Sequence, residues 1–190
     1  MSSLSREPGP VHPPCGPARA AGTMPPSMDR IWAPWRGEYI KSIPQMTGCF
    51  LCEAAKGPDD RAGLVVARRK EVFVVVNKYP FVNGHLMVAP YAHGGDPAGL
   101  PDAVAAEMMT TARDLCGIFR ETMRAEGFNM GLNAGRAGGA GLPDHLHLHV
   151  IPRWPGDSNF MPVLADTRVI SQSLDALWEF LSVRLADRWQ

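Results

Sequence analysis

The chain has 190 residues, of which 45% are hydrophobic, and its 19 basic side chains are balanced by 19 acidic ones. This length and composition are typical of one packed domain. Because the net charge is zero, no general positive field is present to hold a nucleic acid, whereas a small phosphorylated ligand needs only local donors. No apolar run approaches the roughly 18 residues that span a bilayer, so no membrane association is expected.

The cysteine usage indicates a reducing, cytoplasmic setting. The four cysteines, Cys15, Cys49, Cys52 and Cys116, are too few and too unevenly spaced for the disulfide framework of a secreted protein.

The first 29 residues differ in composition from the rest of the chain. They are rich in Pro, Gly, Ala and Ser and lack the apolar core of a secretory signal. Such a segment cannot bury enough surface to fold. We therefore expect residues 1–29 to be either a disordered extension or the product of a start codon placed too early, because Met24 and Met28 within this segment both precede the first informative residues. Residues 30–190 are expected to form the domain.

Three strands are predicted in the first half of this domain. Residues 63–68 and 71–78 are rich in valine and are separated by two basic residues, a pattern typical of two strands with a tight connection. Tyr79 and Pro80 break the pattern, an Asn-Gly turn follows, and residues 85–90 form a third apolar run. Short connections between successive strands predict an antiparallel meander.

A long helix is predicted between Pro101 and Gly127. Its apolar residues recur at intervals of three or four and share one face: Val104, Met108, Ala112, Leu115, Phe119 and Met123. Pro101 suits the first turn and Gly127 the C-terminal cap.

The last third of the chain alternates again. A strand is predicted at residues 128–132, a glycine-rich loop at 134–141 and a second strand at 145–151. An irregular stretch then precedes an amphipathic helix marked by Leu174, Leu177, Trp178, Leu181 and Leu185. The order of strands, helix, strands and helix predicts an α+β fold with a mainly antiparallel sheet.

Three histidines alternate along the second of these strands. Side chains on one face of a strand lie roughly 6.6 to 7 Å apart, so His145, His147 and His149 are expected to form a row of imidazoles. A purely structural role is one alternative, but such a row is costly to bury without a use. Metal ligation by neutral imidazole and nucleophilic or acid-base chemistry near neutral pH both suit it.

The run from His145 to Arg153, HLHLHVIPR, resembles the signature of the histidine triad, or HIT, superfamily. The stretches 76–80 and 84–90 resemble the N-terminal strands of the same superfamily. The resemblance implies a single HIT-like domain: a mainly antiparallel five-stranded sheet, one long helix and a C-terminal helix.

The resemblance also implies roles for individual residues. The middle histidine, His147, would attack the α-phosphorus of a nucleotide and form a nucleotidyl-histidine intermediate, which a second acceptor then releases. The backbone carbonyl of His145 would orient the His147 ring, and His149 would lie beside the phosphate oxygens. By position, His85 adjoins the phosphates and Asn77 holds the ribose hydroxyls. A turn at the end of a strand is the alternative role for Asn77.

The loop from Asn133 to Asp144 matches the phosphate-binding loop of the superfamily, where glycines let backbone amides approach an anion. Asn133 and Gly141 are therefore expected to contact the substrate. Gly141 and Leu142 replace the Gln and the Ser or Thr of the hydrolase branches, and the loop is one residue longer. Both departures favour a different branch.

Further segments resemble the bacterial diadenosine tetraphosphate phosphorylase branch, also called ATP adenylyltransferase. They are residues 30–36, 38–40, 152–154, 156–157 and 159–161. The resemblance implies that diadenosine tetraphosphate and inorganic phosphate give ATP and ADP. Trp154 would cover the base or exclude water, although a packed N-terminal arm also explains the aromatic residues. The alternatives are a hydrolase that releases AMP from dinucleoside polyphosphates or phosphoramidates, and a slow nucleotide-binding regulatory module. A homodimer is expected, and Mg²⁺ would accompany the polyphosphate.

Cys49 and Cys52 form a Cys-x-x-Cys pair, which by itself indicates a redox pair, a metal site or chance. In some bacterial HIT proteins, two such cysteines bind one zinc ion together with a histidine at the position of His93 and the first triad histidine. Carried over to this chain, the ligands are Cys49, Cys52, His93 and His145, a Cys2His2 set suited to a structural ion. Unmetallated thiols are the alternative.

Overall fold

The computed structural model describes residues 48–157 and 172–189. The elements in chain order are α1 (Phe50–Lys56), β1 (Val65–Arg68), β2 (Val72–Val76), β3 (Leu86–Pro90), α2 (Asp102–Met123), β4 (Gly127–Leu132), β5 (Leu148–Arg153) and α3 (Leu174–Arg188). The predicted α+β class with a five-stranded antiparallel sheet is confirmed. The N-terminal extension and the aromatic segments at 30–40 and 159–161 lie outside the described residues. None of the described helices combines the length and apolarity that crossing a membrane requires.

The strand order in the sheet is β1-β2-β3-β5-β4, and all neighbours are antiparallel. The first three strands form the predicted meander. The chain then crosses to β4 at the edge and returns as β5, which inserts between β3 and β4. Leu148 therefore pairs with Val88 on one side and with Leu132 on the other. The strand that carries the histidine motif is held by hydrogen bonds from both neighbours.

The two faces of the sheet carry different clusters. On one face, alternate strand residues such as Val74, Val88 and Val150 pack with Phe119 of α2 and Leu181 of α3. On the other face, Leu51 and Ala54 of α1 cover β1, β2 and β3, and this second cluster includes Phe73 and Met87. Among the described residues it contains none from β4 or β5. The second face thus keeps room above β5, where His149 points.

Helix α2 ends earlier than predicted. Arg124 takes the C-cap in the left-handed region, with φ of 54°, and the backbone N–H groups of Arg124 and Ala125 both donate to the Phe119 carbonyl. Because the buried Ala125 closes the helix here, Gly127 is free to begin β4. The expectation that Gly127 caps the helix was wrong.

Strand β5 also begins later than predicted, at Leu148 rather than at residue 145. The backbone N–H of Leu146 donates to the Gly94 carbonyl in the loop after β3, at 2.8 Å, instead of joining the sheet ladder. His145 and His147 therefore precede the paired strand, and the three histidines do not form one straight row.

Candidate active site

The His147 side chain is buried, and its orientation is set by its own main chain. Its Nδ1 lies 2.9 Å from the backbone carbonyl oxygen of His145. A carbonyl oxygen can only accept a hydrogen bond, so Nδ1 carries the ring proton. In the neutral ring this leaves the lone pair on Nε2. The geometry therefore turns His147 into an imidazole with one defined nucleophilic nitrogen.

A second chain of hydrogen bonds runs through His85 to His149. The backbone N–H of Phe81 donates to Nδ1 of His85 at 3.1 Å, so neutral His85 carries its proton on Nε2. That nitrogen lies 2.9 Å from Nδ1 of His149 and donates to it. The proton of neutral His149 is then on Nε2. The Phe81 ring stacks on His85, with 4.8 Å between ring centroids, and holds the pair in place.

Asn77 lies at the same end of the site. Its Oδ1 accepts the backbone N–H of Tyr79 at 2.8 Å, which fixes the orientation of the amide. Its Nδ2 lies 3.3 Å from Nε2 of His85. Because both atoms are donors in the arrangement above, this contact is not a hydrogen bond within the protein. The Asn77 amide thus has a donor to offer a ligand. It also makes the turn contact that the alternative role for this residue predicts.

The buried histidines are neutral at neutral pH. Burial, followed by repulsion from His149 and His147, lowers the pKa of His85 to about 3. Burial also lowers the pKa of His147, although the hydrogen bond to the His145 carbonyl opposes the shift. The ring centroids of His147 and His149 are 4.9 Å apart. The lowered pKa values favour the uncharged forms of His85 and His147 at neutral pH.

The His145 ring points away from this group and toward the cysteines. Its Nε2 donates to the Pro90 carbonyl at 2.9 Å, which leaves the lone pair on Nδ1. Nδ1 lies 3.3 Å from Sγ of Cys49 and 3.5 Å from Sγ of Cys52, and the Cys52 sulfur lies 3.2 Å from Nδ1 of His93. The four candidate ligand atoms all lie within 4.8 Å of one another.

These distances fit a tetrahedral ion. Zinc bonds to sulfur and nitrogen of about 2.3 and 2.05 Å place the two atoms about 3.6 Å apart. The hydrogen bond from His145 to Pro90 is the kind of outer contact that fixes a metal-ligating imidazole in the required tautomer. Burial raises the pKa of the Cys49 thiol, so a bound cation would have to displace its proton. The sequence prediction named all four residues that the structure brings together.

The loop from Asn133 leads from the end of β4 directly to the histidines. Asn133 follows Leu132, which pairs with Leu148, and therefore lies at the level of His147. Gly141 lies further along the loop and is half-buried. Asn133 therefore begins the loop beside His147 in the strand register, and Gly141 lies in the segment that returns to His145.

Trp154 packs on the core side of the sheet. It follows β5 on the face that α2 and α3 cover, where it packs against the larger core cluster. Its indole Nε1 donates to the Met123 carbonyl at the end of α2, at 3.0 Å. Trp154 thus contributes to the core at that face, and its role toward the nucleotide stays a prediction.

Comparisons of this chain with known proteins are consistent with a histidine triad site. The family model of the HIT domain matches residues 61–156. A Mycobacterium tuberculosis protein named AP-4-A phosphorylase is 38% identical over 154 residues, which cover 77% of this chain and 79% of that protein.

The chain belongs to the HIT family.

The match to a named phosphorylase indicates that this HIT protein is an enzyme of the family. A Zn-bound histidine triad family protein from Mycobacterium smegmatis superposes with a TM-score of 0.61, at 25% identity, and the match covers 74% of this chain and 95% of that chain. A Plasmodium falciparum diadenosine triphosphate hydrolase superposes with a TM-score of 0.55 at 18% identity, covering 70% of this chain and 81% of that one, and shows the shared fold alone.

Three contributors to the site of this HIT protein escaped sequence reasoning. Phe81 acts through its backbone N–H and its ring, and Pro90 through its carbonyl. Gly95 packs so closely on the segment before His145 that an added Cβ would lie 2.0 Å from the Pro143 carbonyl oxygen. Backbone groups and absent side chains leave no residue-type signal. The Gly-Gly pair at 94–95 was the one clue in the sequence.

Proposed function

We propose that this HIT enzyme is a dinucleoside polyphosphate phosphorylase that converts diadenosine tetraphosphate and inorganic phosphate into ATP and ADP. The observation that carries the proposal is the hydrogen bond between Nδ1 of His147 and the His145 carbonyl, because it fixes a neutral nucleophile on Nε2. The similarity to the mycobacterial AP-4-A phosphorylase supports the choice of substrate and acceptor.

In the first step, the Nε2 lone pair of His147 attacks the α-phosphorus of one adenylyl group. The bond from that phosphorus to the bridging oxygen breaks, and its electron pair leaves with ATP. The His147 ring becomes cationic while Nδ1 keeps its proton, so the His145 carbonyl stabilises the charge that develops. In the same step, the Nε2–H of His149 is proposed to donate to a phosphate oxygen.

In the second step, an oxygen of inorganic phosphate attacks the phosphorus of the adenylyl-histidine. The P–N bond breaks and its electron pair returns to Nε2 of His147, which restores the neutral ring and releases ADP. Splitting one displacement into two lets the same nucleophile serve both halves of the reaction. The donor on Asn77 is proposed to hold the ribose, at the end of the site opposite the glycine-rich loop.

We propose zinc as the resident ion of the Cys49, Cys52, His93 and His145 cluster. The donor set of two thiolates and two imidazoles is one that zinc prefers, and four protein ligands close the coordination sphere. The ion would supply structural support, because no ligand position is left for substrate. It would join the start of α1 to the residue whose carbonyl orients His147.

A homodimer is also proposed. Strand β4 lies at the edge of the sheet, and Met130 on it is 48% exposed. Met109 of α2 is 54% exposed. An edge strand with unpaired backbone groups and exposed apolar side chains is a suitable surface for a second copy of the chain.

The decisive experiment incubates the purified protein with diadenosine tetraphosphate, with and without inorganic phosphate, and resolves the products by chromatography. ATP plus ADP formed only with phosphate would support the proposal. ATP plus AMP in both reactions would mean a hydrolase instead, and cleavage of adenylyl-lysine alone would mean a phosphoramidase. Adding Mg²⁺ to matched reactions tests whether the polyphosphate needs that ion.

His147→Ala is the control for the nucleophile. It should bind nucleotide and retain metal but lose at least about a thousandfold in turnover, as expected when a nucleophile is removed. Equal and negligible turnover in the wild type and in His147→Ala would instead indicate a nucleotide-binding module.

A further inference from the structure

Different elements lie at the two ends of the candidate active site along strand β5. The turn that carries Asn77 and His85 enters β3, whose first residue, Leu86, pairs with Val150 toward the C-terminal end of β5. The glycine-rich loop enters at the opposite end, where Leu132 pairs with Leu148. A nucleotide with its ribose near Asn77 and its α-phosphorus at His147 would therefore extend its further phosphates toward the loop.

The charge of the site is too low for such a ligand. A polyphosphate carries several negative charges, whereas burial lowers the pKa of the nearby His85 to about 3, so this ring is neutral at pH 7. Hydrogen bonds to neutral donors are weaker than those to a cation. A positive side chain on the loop would supply what the histidines lack.

Arg136 is the one basic residue between Asn133 and His145. It is exposed, and no ion pair joins it to any acidic side chain in the described ranges 48–157 and 172–189. The one acidic residue of the loop, Asp144, lies at its far end, next to the close contact with Gly95. In contrast, Arg153, the nearest basic residue after the histidines, is held by Asp157.

The loop presents Arg136 from a compact turn. The backbone N–H of Gly139 donates to the Arg136 carbonyl at 3.0 Å, and that of Ala140 donates to the Gly135 carbonyl at 3.2 Å. Gly135 and Gly139 have φ of 67° and 82°, values that favour glycine. An added Cβ at Gly138 would lie 2.2 Å from the Ala134 carbonyl oxygen. The backbone that carries the guanidinium is therefore defined.

We propose that Arg136 binds the phosphate groups beyond the α-phosphorus, first those of the departing nucleotide and then the inorganic phosphate that replaces it. A guanidinium matches phosphate oxygens with two parallel hydrogen bonds. Arg136 is thereby a specificity residue for the acceptor and for the length of the phosphate chain. The inference rests on the proposed phosphorylase function.

The test compares Arg136→Gln with the wild type and with Arg184→Gln. Arg184 is an exposed arginine of α3, on the helix that covers the other face of the sheet, and it donates to its own helix at the Phe180 carbonyl. Calorimetry measures the binding of ATP and of AMP, and product chromatography measures the KM for inorganic phosphate. Arg136→Lys is the conservative variant.

In Arg136→Gln, ATP binding should weaken by about tenfold while AMP binding changes by less than about twofold, the loss expected for one charged hydrogen-bonding group on an exposed loop. The KM for phosphate should rise by a similar factor, with a smaller change in kcat, and Arg136→Lys should recover part of both. Arg184→Gln should match the wild type.

Equal weakening of ATP and AMP, or no change in either, would overturn the proposal. If the wild type shows no phosphate-dependent cleavage, the phosphorylase function fails. The comparison of ATP with AMP binding still decides whether Arg136 contacts the phosphates beyond the α-phosphorus.

Discussion

Gly95→Ala is expected to damage the active site from a position outside it. An added Cβ at Gly95 would lie 2.0 Å from the Pro143 carbonyl oxygen and 3.0 Å from Cα of Asp144. Cβ atoms essentially never approach another atom within 3.0 Å, so the facing backbone must move by about 1 Å. Those two residues directly precede His145, so the displacement reaches both the metal cluster and the carbonyl that orients His147.

The expected size of the effect follows from this displacement. A shift of about 1 Å in a positioning group costs on the order of 100-fold in turnover. Overpacking costs about 1 to 3 kcal/mol of unfolding free energy, and each kcal/mol lowers Tm by about 2 to 4 °C in a chain of this size. Gly95→Ala should therefore lose most activity while it remains folded at room temperature.

Gly94→Ala is the matched control, because a Cβ at Gly94 would meet nothing within 4 Å and the substitution keeps the carbonyl that binds Leu146. Phosphate-dependent cleavage of diadenosine tetraphosphate, bound zinc by mass spectrometry and Tm are measured for both variants. If Gly95→Ala and Gly94→Ala behave alike in all three, the close packing before His145 does not position the site.

Three further predictions address pH, metal and assembly. His85 has a pKa of about 3 in the folded state against 6.5 for the free group, so the folded state binds fewer protons than the unfolded state between these values, and the free energy of unfolding should fall as the pH is lowered through that range. Urea unfolding at several pH values should show a smaller fall in His85→Gln than in the wild type. Equal slopes in the two proteins would contradict the assignment. Cys52→Ser should lose bound zinc and have a lower Tm, whereas Cys116→Ala in the core keeps its metal, as measured by elemental analysis. If the proposed dimer forms through the edge strand, Met130→Glu should reduce the mass measured by light scattering to that of a monomer. The same change at another exposed apolar residue, Val183→Glu on α3, should leave the mass unchanged. A monomeric wild type would refute the proposed dimer.

The sequence predicted the long elements well because their periodicity is extended. The valine runs gave β1 and β2, and the spacing of apolar residues gave α2 and α3. It missed α1, because the seven residues of that helix are too few to show a period of 3.6. It misplaced the end of α2, because glycine is the usual residue at a left-handed cap and Arg124 occupies it here.

The candidate site could be predicted where its chemistry lies in side chains, but not where it lies in the main chain. Histidines and cysteines carry their chemistry in the residue type, so the four residues of the Cys2His2 cluster and the neighbouring histidines could be named in advance as candidates. The carbonyls of Pro90 and His145 and the amide of Phe81 decide which ring nitrogen is protonated, and no residue letter encodes them. Trp154 was assigned by motif position, but strand alternation places its side chain on the core face.

His145 connects the Cys2His2 cluster to His147, the proposed nucleophile. His145 uses every polar group beyond its backbone N–H: Nδ1 faces the cysteines, Nε2 donates to Pro90, and its carbonyl accepts from His147. A rotation of the His145 ring toward a different tautomer would break the contact with Pro90 and withdraw a metal ligand at once. A shift of its backbone would release Nδ1 of His147 and allow the proton to occupy Nε2, which removes the nucleophilic lone pair. Loss of the proposed zinc ion should therefore slow the chemical step, even though an ion with four protein ligands would not contact the substrate.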